Sequence, residues 1–215
     1  MNISERQADA AMDLTAFSNN LPYPAINVQA KNPNYARMML CNIGDQNSEA
    51  SSAALYLYDQ VITAAEPEIS QAFKAIKESE EKHLELFSDL AFQLGADPRL
   101  WAVTGTPAQP MRYWSPQQLC YTSNTKALLQ NALALERATI AKYERQTQEI
   151  KDDAILLLLR RILVDESMHV EVFRLLLAQQ EAKPSDSPVL PSTFSAQKPP
   201  ACSGSQGLPA IAMLN

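Results

Sequence analysis

The chain has 215 residues, of which 14 are proline and only 5 glycine, and so few glycines argue against a turn-rich, strand-dominated fold. A formal net charge of −6 argues against a protein that coats nucleic acid. The longest unbroken apolar run, 154–159, is far too short for a membrane span.

Residues 1–31 read as an arm, with Glu5, Asp9 and Asp13 where a secretory signal would carry a basic start and an apolar core. The expected location is therefore cytoplasmic, with no membrane and no nucleic acid among the partners. Cys41, Cys120 and Cys202 form no Cys-x-x-Cys pair, which excludes a zinc ribbon or a rubredoxin-type iron site. The odd count predicts reduced thiols, with Cys41 a free buried cysteine.

Prolines mark out the helices. A first helix is predicted over 33–64, with Asn32 as its cap and Pro33 at the first helical position, where its missing N–H would have no partner anyway. Gly44 and Asp45 fall inside it, and Glu49 and Tyr56 share one face. A second helix, 67–94, opens on Pro67 and closes at Gly95. Residues 95–123 hold Pro98, Pro107, Pro110 and Pro116 and read as a crossover, pinned to the bundle by Trp101 and Trp114. Two further helices cover 124–150 and 152–182. Beyond them, 183–215 contains six prolines and six serines and reads as a tail, ending in an apolar stretch at 208–214. That stretch is a candidate docking peptide for a neighbouring subunit or an enclosing shell protein.

Short links make the first and last helix pairs antiparallel hairpins, and the long middle link can run the length of a bundle. The predicted fold is all-α: a ferritin-like four-helix bundle with one long crossover over residues 32–182. Three of the helices show an inward seam at alternating spacings of four and three. In the second helix it is Ile76, Glu80, His83, Phe87, Leu90 and Leu94. In the third it is Leu129, Leu133, Glu136, Ile140, Tyr143, Thr147 and Ile150. In the fourth it is Ile155, Leu159, Ile162, Glu166, His169, Phe173 and Leu176.

The polar residues in these seams carry the chemistry. His83 and His169 are the only histidines, and each follows a glutamate by three residues, Glu80 and Glu166, which places each pair on one helix face. A glutamate in an apolar seam is costly unless something pairs with it. A solvated face explains Glu81 and Glu85 but not Glu80 and Glu166. Glu49 and Glu136 complete the set, and each is followed seven residues later by a tyrosine, Tyr56 and Tyr143. The chain thus reads twice as Glu, Tyr, then Glu-x-x-His. Four carboxylates and two imidazoles around a bundle axis suit two iron or two manganese ions. The tyrosine hydroxyls are placed to bond a carboxylate.

On these residues the chain resembles the ferritin-like di-metal carboxylate superfamily across 32–182. The stretch Lys31-Asn32-Pro33-Asn34-Tyr35-Ala36 is similar to the branch that includes rubrerythrin-like and manganese-catalase-like proteins. The resemblance implies that Glu80 and Glu166 bridge two ions, while Glu49 and Glu136 bind at the ends. By likeness to manganese catalases, Glu166 is alternatively an acid–base group beside the metals. It also implies that Asp165 accepts the N–H of His83 across the bundle. Classical rubrerythrins carry an iron–cysteine domain that this sequence lacks. They also have a second glutamate where Leu133 stands here. Both departures favour catalase-type chemistry, in which peroxide is oxidant and reductant in turn and two manganese ions cycle between divalent and trivalent states. The expected activity is a di-metal oxidoreductase acting on hydrogen peroxide or dioxygen in a homo-oligomer, with Glu166, Tyr56 and Tyr143 as candidate catalytic groups. The alternatives are a ferroxidase and iron store, or a spore-coat or shell-associated structural component.

Overall fold

The computed structural model describes residues 21–102 and 112–182. The first 20 residues, Pro107, Pro110, Cys202 and the apolar stretch at 208–214 lie outside the described residues.

Among the described residues five α-helices form: α1 Pro33–Gly44, α2 Glu49–Ile62, α3 Pro67–Gln93, α4 Thr125–Glu149 and α5 Asp153–Ala182. Helices α2 to α5 make the four-helix bundle, with α2 packed on α3 and α4 on α5, while α1 lies along α3. The crossover from α3 to α4 holds β1 Trp101–Ala102 and β2 Arg112–Tyr113, an antiparallel pair that the sequence did not announce, then a 3-10 turn at Pro116–Gln118.

The helix predicted over 33–64 is two helices. Asp45 is extended, with φ −84° and ψ −178°, and Ser48 is extended as the cap of α2. Both side chains offer the backbone local partners that compete with the helical ladder. Gln46 N–H donates to Asp45 Oδ1 at 2.7 Å, and Ser51 N–H donates to Ser48 Oγ at 3.3 Å. The break puts Glu49 on the first turn of α2, where the helix dipole favours a negative charge. Gly44 marks the same corner for a steric reason: a Cβ there would lie 2.3 Å from the carbonyl oxygen of Trp101.

Caps set the other ends. Asn32 Oδ1 accepts from Asn34 and Tyr35 N–H at the start of α1. At the end of α3, Gly95 adopts φ +96°, and the N–H groups of Gly95 and Ala96 bond Phe92 and Ala91 carbonyls at 2.9 Å each. That is a Schellman closure with glycine at its left-handed position. Trp114 Nε1–H donates to Ser51 Oγ at 3.0 Å, and Trp101 stacks on Tyr113 at 4.7 Å, so both tryptophans fasten the crossover. Among the described cysteines, Cys41 keeps a free thiol and is half-buried rather than fully buried.

The apolar core comes in two parts. One gathers Met39, Ile43, Phe87, Leu90, Tyr143 and the first half of α5. The other gathers Tyr56, Phe73, Leu128, Leu129, Phe173 and Leu176. The seams of all four bundle helices turn polar between these two parts.

Candidate metal centre

Glu49, Glu80, His83, Glu136, Glu166 and His169 are all buried in that layer, none more than 5% exposed. Helix α2 supplies Glu49, α3 supplies Glu80 and His83, α4 supplies Glu136, and α5 supplies Glu166 and His169. Their donor atoms form two groups: Glu49, Glu80, His83 and Glu166, and Glu80, Glu136, Glu166 and His169. Within each group one donor atom per residue lies within 4.8 Å of all the others.

Glu80 and Glu166 belong to both groups, and each offers one oxygen to each side. Glu80 Oε2 lies 3.3 Å from His83 Nδ1, and Glu80 Oε1 lies 2.9 Å from His169 Nδ1. Glu166 Oε1 lies 3.2 Å from His83 Nδ1, and Glu166 Oε2 lies 3.4 Å from His169 Nδ1. Both imidazoles therefore aim Nδ1 inward, between two shared carboxylates.

The tyrosines settle the orientation of the end carboxylates. Tyr143 on α4 donates its hydroxyl to Glu49 Oε1, and Tyr56 on α2 donates to Glu136 Oε1. Each hairpin's tyrosine thus holds the other hairpin's glutamate by one oxygen. The second oxygens face inward: Glu49 Oε2 lies 3.9 Å from His83 Nδ1 and Glu136 Oε2 lies 3.7 Å from His169 Nδ1. Both tyrosines are fully buried, Tyr143 against Phe87 at 5.3 Å and Tyr56 against Phe73 and Phe173 at 5.6 and 5.5 Å. Aromatic walls therefore shield the layer from water on both sides.

Without cations these groups are electrostatically frustrated. Burial, then repulsion from Glu80, pushes the Glu49 and Glu136 carboxyls well above the usual range. Burial opposes charge on the imidazoles, yet Asp165, Glu166 and Glu80 hold His83 well above its ordinary value. Glu80, Glu136 and Glu166 do the same for His169. Burial would also raise Glu80 and Glu166, but Glu80's contacts with Glu49 and His169, and Glu166's with both imidazoles, hold them below the ordinary range. Protons thus stand where cations would balance the carboxylates. Glu49 Oε2, Glu80 Oε1, both Glu166 oxygens and His169 Nδ1 are buried without a hydrogen-bond partner. Orphaned oxygens and a ring nitrogen facing one small space are the donor set of a hard or borderline divalent ion, so the residues fit a metal pair.

Asp165 lies behind the centre, with Oδ2 3.2 Å from His83 Nε2. Sequence reasoning missed what holds Asp165 in turn. Tyr23 in the N-terminal arm donates to Oδ2 at 2.8 Å, and Arg161 Nη1 lies 2.6 Å from Oδ1. It also missed a buried amide pair, Asn42 with Gln146, bonded both ways at 2.8 and 2.9 Å, which ties α1 to α4.

The rubrerythrin family model matches residues 47–177, a span that includes all six converging side chains. No protein of curated function matches significantly. Among solved structures, the chain is similar to wild-type KatB, a manganese catalase from Anabaena, at 18% identity and a TM-score of 0.68, covering 85% of this chain and 93% of that one. A second KatB structure, from Anabaena PCC7120, gives 19% identity with the same TM-score and the same coverage. At such identity the likeness is one of fold.

Proposed function

The chain belongs to the rubrerythrin family, and from that premise we propose that it is an oxidoreductase that turns over hydrogen peroxide at a pair of manganese or iron ions. Glu49, Glu80, His83, Glu136, Glu166 and His169 hold the pair. One observation carries the reading: the two donor groups share Glu80 and Glu166, each with one oxygen toward either position. The catalase activity named for KatB, on the same fold, supports it.

Ions of this kind, once bound, supply electron exchange with the O–O bond of peroxide. The chain's own residues do the rest. Glu80 and Glu166 set the spacing of the two positions. Tyr56 and Tyr143 occupy the outer oxygens of Glu136 and Glu49 and so turn the inner oxygens toward the centre. The aromatic shell excludes water and strengthens every charge interaction inside. Glu166 has a second reading as the acid–base group beside the pair, one oxygen of its carboxylate taking a proton from peroxide and returning it in place of bridging. Residues 183–215 stand apart from this chemistry, since every proposed ligand precedes residue 170.

The test is direct. Protein loaded with manganese should release oxygen from hydrogen peroxide with no added reductant. Turnover that requires an added reductant would make the chain a peroxidase instead. Absence of any turnover alongside rapid oxidation of ferrous ion would replace this reading with iron handling.

A further inference from the structure

The two halves of the centre repeat each other in sequence, yet their surroundings differ. Behind His83, the Nε2 nitrogen faces Asp165 Oδ2 at 3.2 Å, with Ser79 Oγ at 3.5 Å. That same Asp165 oxygen accepts the Tyr23 hydroxyl at 2.8 Å. Arg161 completes the clamp. Its Nη1 meets Asp165 Oδ1 at 2.6 Å, its Nε and Nη2 donate to the Leu21 carbonyl at 3.1 and 2.8 Å, and its guanidinium lies 4.4 Å from the Tyr23 ring. The Tyr23 ring meets the His83 ring edge-on at 6.0 Å. A segment of the arm, 21–23, thus closes over one imidazole.

Among the described residues His169 has no such support. The residue that corresponds to Asp165 in the first hairpin is Ser79, which lies on the His83 side. Among the described residues the polar partners of His169 are all on its Nδ1, and it is 5% exposed where His83 is fully buried. An imidazole whose outer N–H donates to a fixed carboxylate is a stronger and better oriented ligand.

We propose that Tyr23 is a positioning residue that makes the two cation positions unequal: the Glu49–His83 position fills first and holds its ion, and the Glu136–His169 position exchanges. This rests on the reading of the site as a di-metal centre. Tyr23 touches no candidate ligand oxygen; it acts through Asp165 on the direction of the His83 ring.

The experiment is a titration of the metal-free full chain with cobalt(II), following both heat and the visible absorption of the bound ion. Wild type should bind two ions in two resolved steps, each with its own spectrum. Tyr23→Phe keeps the ring and removes only the hydroxyl. It should weaken the first step by ~10-fold, leave the second within error, and shift the spectrum of the first-bound ion alone. Asp165→Asn should move the same step further. Equal steps in wild type, or a Tyr23→Phe chain in which both steps move alike or neither moves, would overturn the proposal while leaving the paired centre standing. No cobalt bound at all would overturn both.

Discussion

Glu80→Gln should strip the protein of both ions and lower peroxide turnover by at least ~100-fold, because loss of a mere outer-sphere partner already costs ~10–100-fold. The reason lies in its two oxygens, one in each donor group. Neutralising that carboxylate damages both positions together. Glu49→Gln and Glu136→Gln should behave otherwise, since each belongs to one group only. Each should leave one ion per chain. Metal content by elemental analysis, measured beside turnover for the three variants, separates the shared ligand from the end ligands. Loss of a single ion in Glu80→Gln, or of both in Glu49→Gln, would contradict the shared arrangement.

Metal loading should raise stability by a large margin, and more so at higher pH. A ligand at a thousand times its dissociation constant adds ~4 kcal/mol per site. For a chain of this length that corresponds to a melting-temperature rise of about 10 °C. The pH dependence follows from which groups hold protons in the metal-free fold. Glu49 and Glu136 sit above their ordinary 4.5, and His83 and His169 above 6.5. Their contribution to the metal-free fold is present below those ordinary values and is lost as pH rises through the elevated ones. Glu80 and Glu166, held below 4.5, act in the opposite sense and are lost only as pH falls toward acid. On the alkaline side the metal-free protein therefore weakens. The loaded protein, in which cations replace those protons, does not. Thermal unfolding at pH 6 and pH 8, with and without manganese, should show the gap widening. Equal melting temperatures at both pH values would count against a bound pair.

Much of the bundle was legible in the sequence because its signals are periodic. In α3, α4 and α5 the apolar seam runs at helical spacing, so a glutamate or histidine in that seam stands out against Leu, Ile and Phe. The same periodicity put Tyr56 and Tyr143 on the seam one heptad from Glu49 and Glu136, but it did not show that each bonds the other hairpin's glutamate. The break between α1 and α2 was not read. A Gly-Asp pair followed by a capping serine is a local signal, and its effect depended on Trp101, early in the crossover, crowding Gly44. The clamp on His83 was half legible. Asp165 declares itself as the neighbour of Glu166. Tyr23 and Arg161 do not, because an irregular arm has no period and its contacts, 142 residues apart for Tyr23 and Asp165, depend on the assembled fold. The Asn42–Gln146 pair was hidden for the same reason, since neither amide departs from an ordinary helical surface pattern when its helix is read alone.

The proposed chemistry requires two ions between Glu80 and Glu166. A crystal structure of manganese-loaded protein, with anomalous data collected near the manganese edge, tests this most directly. It should show two peaks roughly 3.5–4 Å apart, the spacing of two-metal sites, both touched by Glu80 and Glu166. One peak should be capped by Glu49 and His83 and the other by Glu136 and His169. A single peak, or ions bound only at surface carboxylates with both imidazoles turned away, would contradict it.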